Sequence, residues 1–344
     1  MKITRIGLDL AKNVFEVHGV DKRDQAVLRK RLTRAKLRSF FAQLPPCLVA
    51  MEACGSAHFW ARELRALGHE VRLIDARFVI PYRKGGKNDG NDAEAICEAA
   101  GRPSMRFVPV KSCEQQAVLT MHRARSLLVG ERTALCNHVR GLLAEFGIVA
   151  AQGRATLRRE LPSVLEDAEN ALPDLAREVF AELYERLADL DQRVAEYDRR
   201  VAALAKSTPV AQRLMLVPGI GPLTATAILA TVGHGRDFHN GRQFAAWLGL
   251  TPRQHSSAGK TRLGRITKRG DRYLRTLLVH GARSALIRSR SCEHGHLRWA
   301  NAVRERRGFN KAVVALAAKH ARIVWAMLAR DEDFRALPLH STAG

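Results

Sequence analysis

Four acidic residues, Asp9, Glu52, Asp89 and Asp92, are of the type and order that phosphoryl-transfer chemistry uses. Two of them stand three residues apart in Lys87-Asn88-Asp89-Gly90-Asn91-Asp92-Ala93, at the end of a Gly- and Lys-rich loop. The segment 92–100 reads as a helix with Asp89 or Asn91 as its N-cap, so Asp92 falls on the first turn. Asp9 lies in the strand Arg5-Ile6-Gly7-Leu8-Asp9-Leu10, and Glu52 ends the apolar run Cys47-Leu48-Val49-Ala50-Met51-Glu52. An acid at the end of a buried strand is costly unless its charge is compensated. Mg²⁺ compensates it, taking carboxylate oxygens and keeping positions open for phosphate. Taken singly, each acid has a plainer role. Asp9 suits a cap for the turn at Ala11-Lys12, Glu52 a solvated strand end, and Asp89 and Asp92 loop and cap positions. Their order along the chain is what makes the four together a candidate Mg²⁺ site.

The elements that must carry these acids follow from hydrophobic period and punctuation. Residues 3–10, 14–20 and 26–32 read as strands, with Lys12-Asn13 and Lys22-Arg23-Asp24 as turns. A helix over 34–43, Pro45-Pro46, a strand over 47–52, a helix over 57–67, Gly68 and a strand over 70–74 follow. Three meandering strands and then αβαβα is the layout of an RNase H-like fold. In that fold the first strand, the fourth strand and a later helix bring acids to one edge of the sheet, and Asp9, Glu52 and the Asp89/Asp92 pair occupy those places.

The charge balance points to a polyanionic partner. Lys and Arg number 57 against 34 acids, a net of +23, and residues 251–344 alone hold 20 Lys/Arg and six Asp/Glu. Nucleic acid is favoured over membrane, since neither a spanning segment nor a basic amphipathic helix stands out. The N-terminus enters a strand directly and does not resemble a signal peptide. Six cysteines (47, 54, 97, 113, 136 and 292) form no CxxC pair and read as reduced thiols, which places the protein in the cytoplasm.

Residues 105–149 read mostly as helix, with His122, Arg123, Arg125, Arg132, His138 and Arg140 as either a phosphate-tracking face or an ordinary solvated one. Apolar residues from Ala176 to Leu204 then recur at spacings of four and three over four heptads, the pattern of a coiled-coil helix. It serves either as a dimerisation arm or spacer between two domains, or in antiparallel pairing within the chain against residues 113–145, and Pro209 ends it. Pro218-Gly219-Ile220-Gly221 between two helices has the form of a helix-hairpin-helix, whose Gly219 and Gly221 let backbone approach a phosphate. The alternative is a tight turn with no ligand. A polar loop over 254–271 then gathers hydroxyls and cations. Arg253, Lys260, Arg262, Arg265, Lys268 and Arg269 are candidate phosphate clamps, and Ser256 and Ser257 are candidate nucleophiles or plain loop donors. Helices over 272–289 and 310–329 complete a small helical domain. His294 and His296, near Cys292, have poor zinc spacing and read as basic loop residues.

Ile6-Gly7-Leu8-Asp9-Leu10-Ala11-Lys12, Met51-Glu52-Ala53-Cys54-Gly55-Ser56 and Lys87 to Ala93 resemble the DEDD motif of bacterial insertion-sequence transposases, which have a RuvC-like N-terminal domain and are related to the Piv/MooV DNA invertases. Pro218-Gly219-Ile220-Gly221, Gly249-Leu250-Thr251-Pro252, Ser256-Ser257-Ala258-Gly259 and Gly264 to Gly270 resemble that family's C-terminal domain. The resemblance implies a RuvC-like DEDD domain over 1–104, a helical and coiled-coil oligomerisation region over 105–208 and a C-terminal transposase domain over 209–344. It implies catalytic acids at Asp9, Glu52, Asp89 and Asp92 holding Mg²⁺, and a catalytic serine at Ser257. Ala258 stands where the family usually has Gly. Implied partners are double-stranded donor and target DNA, a structured non-coding guide (bridge) RNA and further copies of the chain as homodimers or homotetramers, in a bacterial, nucleoid-associated setting. A RuvC-like nuclease, such as a junction resolvase cutting by water attack, explains the acids and the charge but leaves the C-terminal motifs without a role.

Overall fold

The computed structural model describes residues 2–85, 89–256, 260, 262–289 and 294–335, with Asp89 described by its place in a helix alone. Lys87, Asn88, Ser257 and Cys292 lie outside the described residues. The chain divides into two compact units, Met1–Cys113 and Glu114–Gly344. The helices of the expected 105–208 region lie in the second unit together with those that follow.

The first unit is a six-stranded mixed sheet with helices on both faces. Its strands are β1 (Arg5–Leu10), β2 (Val14–Val20), β3 (Ala26–Thr33), β4 (Leu48–Glu52), β5 (Glu70–Ile74) and β6 (Phe107–Val108), and its helices α1 (Arg34–Ala42), α2 (Ala57–Ala66), α3 (Ala76–Val79) and α4 (Asp89–Ala100). The sheet order is β3-β2-β1-β4-β5-β6. β1 and β2, and β2 and β3, pair antiparallel, while β1, β4 and β5 run parallel. This is the expected three-strand meander followed by parallel crossovers. The short antiparallel β6 is an addition; two residues are too few to carry a readable period. Alternation along the strands sorts the faces. Ile6, Leu8, Phe15, Val17, Val49, Met51, Val71 and Leu73 pack on α1 and α2 through Leu37, Phe41, Trp60 and Leu64. On the opposite face Ala50 and Ile74 meet Ala95, Ile96 and Ala99 of α4.

The second unit contains α5 (Cys113–Glu145), α6 (Arg154–Glu166), α7 (Asp174–Ser207), α8 (Pro209–Met215), α9 (Pro222–Val232), α10 (Gly241–Trp247), β7 (Pro252–Gln254), β8 (Leu263–Ile266), α11 (Arg272–Arg288), α12 (Gly295–Arg307) and α13 (Phe309–Ala329). The heptad seam lies on α7, and it is filled within the chain. Phe180, Leu187 and Leu190 share a core with Leu135, Val139 and Leu143 of α5 and with Leu157 and Leu161 of α6. Two ion pairs fix the register: Arg125 to Asp198 at 2.6 Å and Arg132 to Asp191 at 2.9 Å. One heptad up α5 is one heptad down α7, so the helices run antiparallel. The seam therefore serves the intrachain alternative, and its apolar face is not left over as a dimerisation arm. Asp191 also accepts from Arg154 and, at 2.7 Å, from Arg158. Burial pushes its carboxyl up, but the three guanidiniums outweigh this and hold it below the usual carboxylate range.

Arg125, Arg132 and His122 of α5 thus serve packing within the unit, Arg140 donates to the Ala151 and Gly153 carbonyls, and Arg123 and His138 are exposed. His122 is buried, its Nδ1 2.9 Å from the Tyr273 hydroxyl and its Nε2 3.0 Å from Thr226 Oγ1. Thr226 Oγ1 already donates to the Pro222 carbonyl at 2.7 Å, so His122 Nε2 carries the proton and Tyr273 donates to Nδ1. Burial pushes this imidazole down to about 4, which keeps it neutral. His296, expected in a basic loop, is instead buried on α12 beside His320 of α13. Burial takes His296 to about 4 and His320 to about 3, so neither adds positive charge at neutral pH. Contrary to the expectation of no spanning run, α13 is long and apolar enough to cross a membrane; its Val313, Leu316, Ala317, Ala321 and Val324 pack in the core with Leu274, Leu278 and Leu286 of α11.

Candidate active site

Asp9 and Glu52 stand one position beyond the last paired residues of adjoining parallel strands, where Leu8 lies opposite Met51. Both acids are half-buried, at the point where each strand leaves the core. Their face of the sheet follows from the period of two. Gly7 pairs with Ala50, and Asp9 and Glu52 each come two residues later, on the side that α4 covers. A Cβ on Gly7 would lie 2.1 Å from the Ala93 carbonyl oxygen and 2.5 Å from the Cys97 amide nitrogen. The backbone of α4 thus rests directly on β1, which only glycine permits, and the residue before Ala93 is Asp92. α4 begins at Asp89, so Asn91 is inside the first turn rather than capping it, and Asp89 and Asp92 share that turn. Strand ends and helix turn accordingly bring Asp9, Glu52 and Asp92 to one side of the sheet; the Asp89 side chain lies outside the described residues.

Register adds an acid that sequence reasoning missed. Asp9 lies opposite Glu16 of β2, and Glu16 lies opposite Arg31 of β3, so Arg31, Glu16, Asp9 and Glu52 form a charged row across four strands. Glu16 contacts Arg31 at 3.3 Å. The alternating Phe15-Glu16-Val17 signals a half-buried acid, but its pairing with Asp9 depends on a register that composition does not give. Asp92 also has a cation, the Arg83 Nη1 at 3.3 Å. Glu94, one turn-fraction further along α4, is held by Arg29 at 3.0 Å and Lys84 at 3.7 Å.

Among the described residues no three His, Cys, Asp or Glu side chains close around a point as a metal-holding group. The donor set fits a hard divalent cation in kind, because it consists of carboxylates on rigid elements facing one side. Arg83 shares the Asp92 carboxylate that such a cation would take.

The polar loop of the second unit folds as a two-stranded ribbon, β7 with β8, Pro252 opposite Ile266 and Gln254 opposite Leu263. The sequence reads here as a polar loop because the strands are short and carry little apolar alternation. Its base is rigid. Gly249 sits at φ +73°, and a Cβ on Gly270 would lie 1.8 Å from the Trp247 carbonyl oxygen. Lys268 N donates to the Gly249 carbonyl at 3.1 Å, and the Arg275 guanidinium donates to the Leu248 and Gly270 carbonyls, each at 3.1 Å. Arg253, Lys260, Arg262, Arg265, Lys268 and Arg269 are all exposed, and the first five make no ion pair among the described residues. Ser256 Oγ accepts from the Arg262 amide at 3.2 Å and from Gln254 Nε2 at 3.0 Å, which ties it into the ribbon.

Gly219 and Gly221 lie in the turn between α8 and α9. Gly219, at φ +93°, makes its close backbone approach to Gly281 of α11, whose own Cβ would fall 1.9 Å from the Gly219 carbonyl oxygen. Gly221 has open space around its Cα and precedes α9 as an N-cap without a side-chain bond.

An RNase H-like mixed sheet with acids at its edge, followed by a helical unit with an exposed cationic ribbon, defines a nucleic-acid-processing class of protein. Comparison with known proteins narrows this. The DEDD-type IS110 transposase model matches residues 6–148, and the model described as Transposase IS116/IS110/IS902 family matches residues 211–297. A probable family 20 transposase of Pseudomonas aeruginosa is 56% identical over 97% of this chain and 99% of its own length. The transposases for insertion sequence elements IS1111A of Coxiella burnetii and IS1328 of Yersinia enterocolitica are 43% and 41% identical, each over 96% of this chain and over 91% and 98% of their own lengths. The chain belongs to the IS110/IS116/IS902 transposase family, enzymes that cleave and rejoin DNA. Its DEDD-type domain implies a divalent metal ion.

Proposed function

We propose that this transposase excises and inserts an insertion sequence through a covalent link between Ser257 and DNA, with Mg²⁺ held by Asp9, Glu52, Asp89 and Asp92. What carries the reading is the placement of Asp9 and Glu52 on one sheet face beside the first turn of α4, in a chain whose two family matches span both units. Bound at these carboxylates, Mg²⁺ supplies charge stabilisation to the phosphorus centre under attack. The Ser257 hydroxyl releases its proton to solvent as its oxygen bonds to phosphorus, and a deoxyribose oxygen leaves and is protonated. The number of ester bonds is unchanged, so the reverse attack by a DNA hydroxyl rejoins strands without an energy source. Arg253, Lys260, Arg262, Arg265, Lys268 and Arg269 bind the phosphates on either side, and the open turn at Gly221 offers backbone to another. Ser256, already accepting two hydrogen bonds, acts as the structural neighbour of the nucleophile.

The resemblance to bridge-RNA-guided members supports a structured guide RNA as the source of target choice, and homodimers or homotetramers as the working assembly. Because the α7 seam is occupied within the chain, such an assembly uses other surfaces.

A trapping experiment tests this. Protein, flanking non-coding RNA, donor DNA and Mg²⁺ are mixed, denatured and examined for protein joined covalently to DNA. The adduct is expected with the wild type and absent with Ser257→Ala and with Asp9→Ala. Cleaved ends with no adduct, and cleavage that survives Ser257→Ala, would instead establish water attack of the RuvC nuclease type.

A further inference from the structure

At the junction of α11, α12 and α13 two arginines from different helices converge on one ring. The Arg283 guanidinium carbon lies 5.2 Å from the Phe309 centroid, and that of Arg304 lies 5.3 Å from it. Arg283 Nη2 also donates to Asn310 Oδ1 at 3.0 Å. Neither guanidinium has a carboxylate partner among the described residues. Arg306, Arg307 and Lys311 follow Arg304 closely in sequence and are exposed, with Glu305 as the acid of that stretch. The C-terminal dipole of α12 accounts for Arg304, Arg306 and Arg307 at its last turn. It does not account for Arg283, which reaches the same ring from α11. Two like charges held within about 10 Å, each with its freedom already restricted by stacking and one by an amide, are pre-organised for an anion.

We propose that Arg283 and Arg304 form a second phosphate-binding site, apart from the β7–β8 ribbon, that grips the backbone of duplex DNA. Phe309 is half-buried against the core and contacted by two guanidiniums, which makes it a poor platform for the unpaired bases that single-strand recognition would use. The contact is therefore to sugar-phosphate backbone and is independent of base sequence.

The test measures binding of a fluorescein-labelled 30-base-pair duplex by anisotropy across a KCl series. Each lost phosphate contact lowers the slope of log K against log salt by about 0.9. Arg283→Gln/Arg304→Gln is expected to reduce the slope by about 1.8 and weaken binding roughly sixtyfold near 0.1 M salt. Each single variant is expected to remove about half of this slope change, and the singles carry the test if the double variant melts early. Arg193→Gln/Arg199→Gln serves as the control, since both of those arginines already pair with acids on α7. An unchanged slope in variants with wild-type Tm, an equal loss in the control, or a loss confined to a labelled RNA hairpin with duplex binding intact would each overturn the assignment. None of these outcomes depends on Ser257 or on the carboxylates.

Discussion

The acid-bearing face of the first unit and the cationic ribbon of the second are built on the same mechanical device and opposite electrostatics. Each is pinned by a glycine whose missing Cβ admits another backbone: Gly7 against α4, Gly270 against the end of α10. In the first unit, however, cations from the same fold stand against the acids, with Arg31 on Glu16, Arg83 on Asp92 and Arg29 on Glu94. In the ribbon Arg253, Lys260, Arg262, Arg265 and Lys268 have no such counter-charges among the described residues. A face with its own counter-ions has its charge balanced within the fold. A ribbon without them stays exposed and solvated until a polyanion arrives.

The shared device predicts the largest effect. Gly7→Ala and Gly270→Ala should each cost about 3 kcal/mol or more, because the clash is with backbone and cannot be relieved by a rotamer. Differential scanning calorimetry should show a Tm loss of roughly 10 °C or more; a loss of under about 2 °C would break the idea that both faces are set by backbone contact. A smaller effect is expected at Glu16. Glu16→Gln removes one of three acids in a row but also an ion pair whose Arg31 partner is largely exposed, so Tm without Mg²⁺ should move by less than about 2 °C. The rise in Tm on adding Mg²⁺ should shrink, and an unchanged rise would remove Glu16 from the metal's surroundings. The smallest stability effect belongs to the ribbon. Arg253→Gln/Arg265→Gln should leave Tm within about 1 °C of wild type while duplex affinity falls about thirtyfold at 0.15 M salt. A large Tm change would mean those cations have structural partners after all.

Much of the first unit was legible because its strands alternate cleanly and are separated by Pro45-Pro46, Gly68 and polar turns. The two-residue β6, the ribbon and α12 were not. Among the residues of α12 only His296, Leu297 and Ala300 are buried, too sparse a stripe to register as a helical period. The heptad predicted α7 but could not say which surface fills its seam; that depended on Arg125 and Arg132 meeting Asp198 and Asp191 on a distant stretch of chain. The strand-end places of Asp9 and Glu52 and the first-turn place of Asp92 could be read from the element order. Glu16 and Arg83 could not, because their relation to the acids is a matter of register and of loop path.

The antiparallel pairing of α5 with α7 has a consequence for motion. At 1.5 Å per residue, the 34 residues of α7 span about 51 Å. Two ion pairs one heptad apart forbid sliding by a single turn unless both break together, so the pair behaves as a stiff beam. A beam of that length turning by about 10° at one end sweeps the other through roughly 9 Å. Small adjustments near its root are thereby delivered as large displacements at its tip.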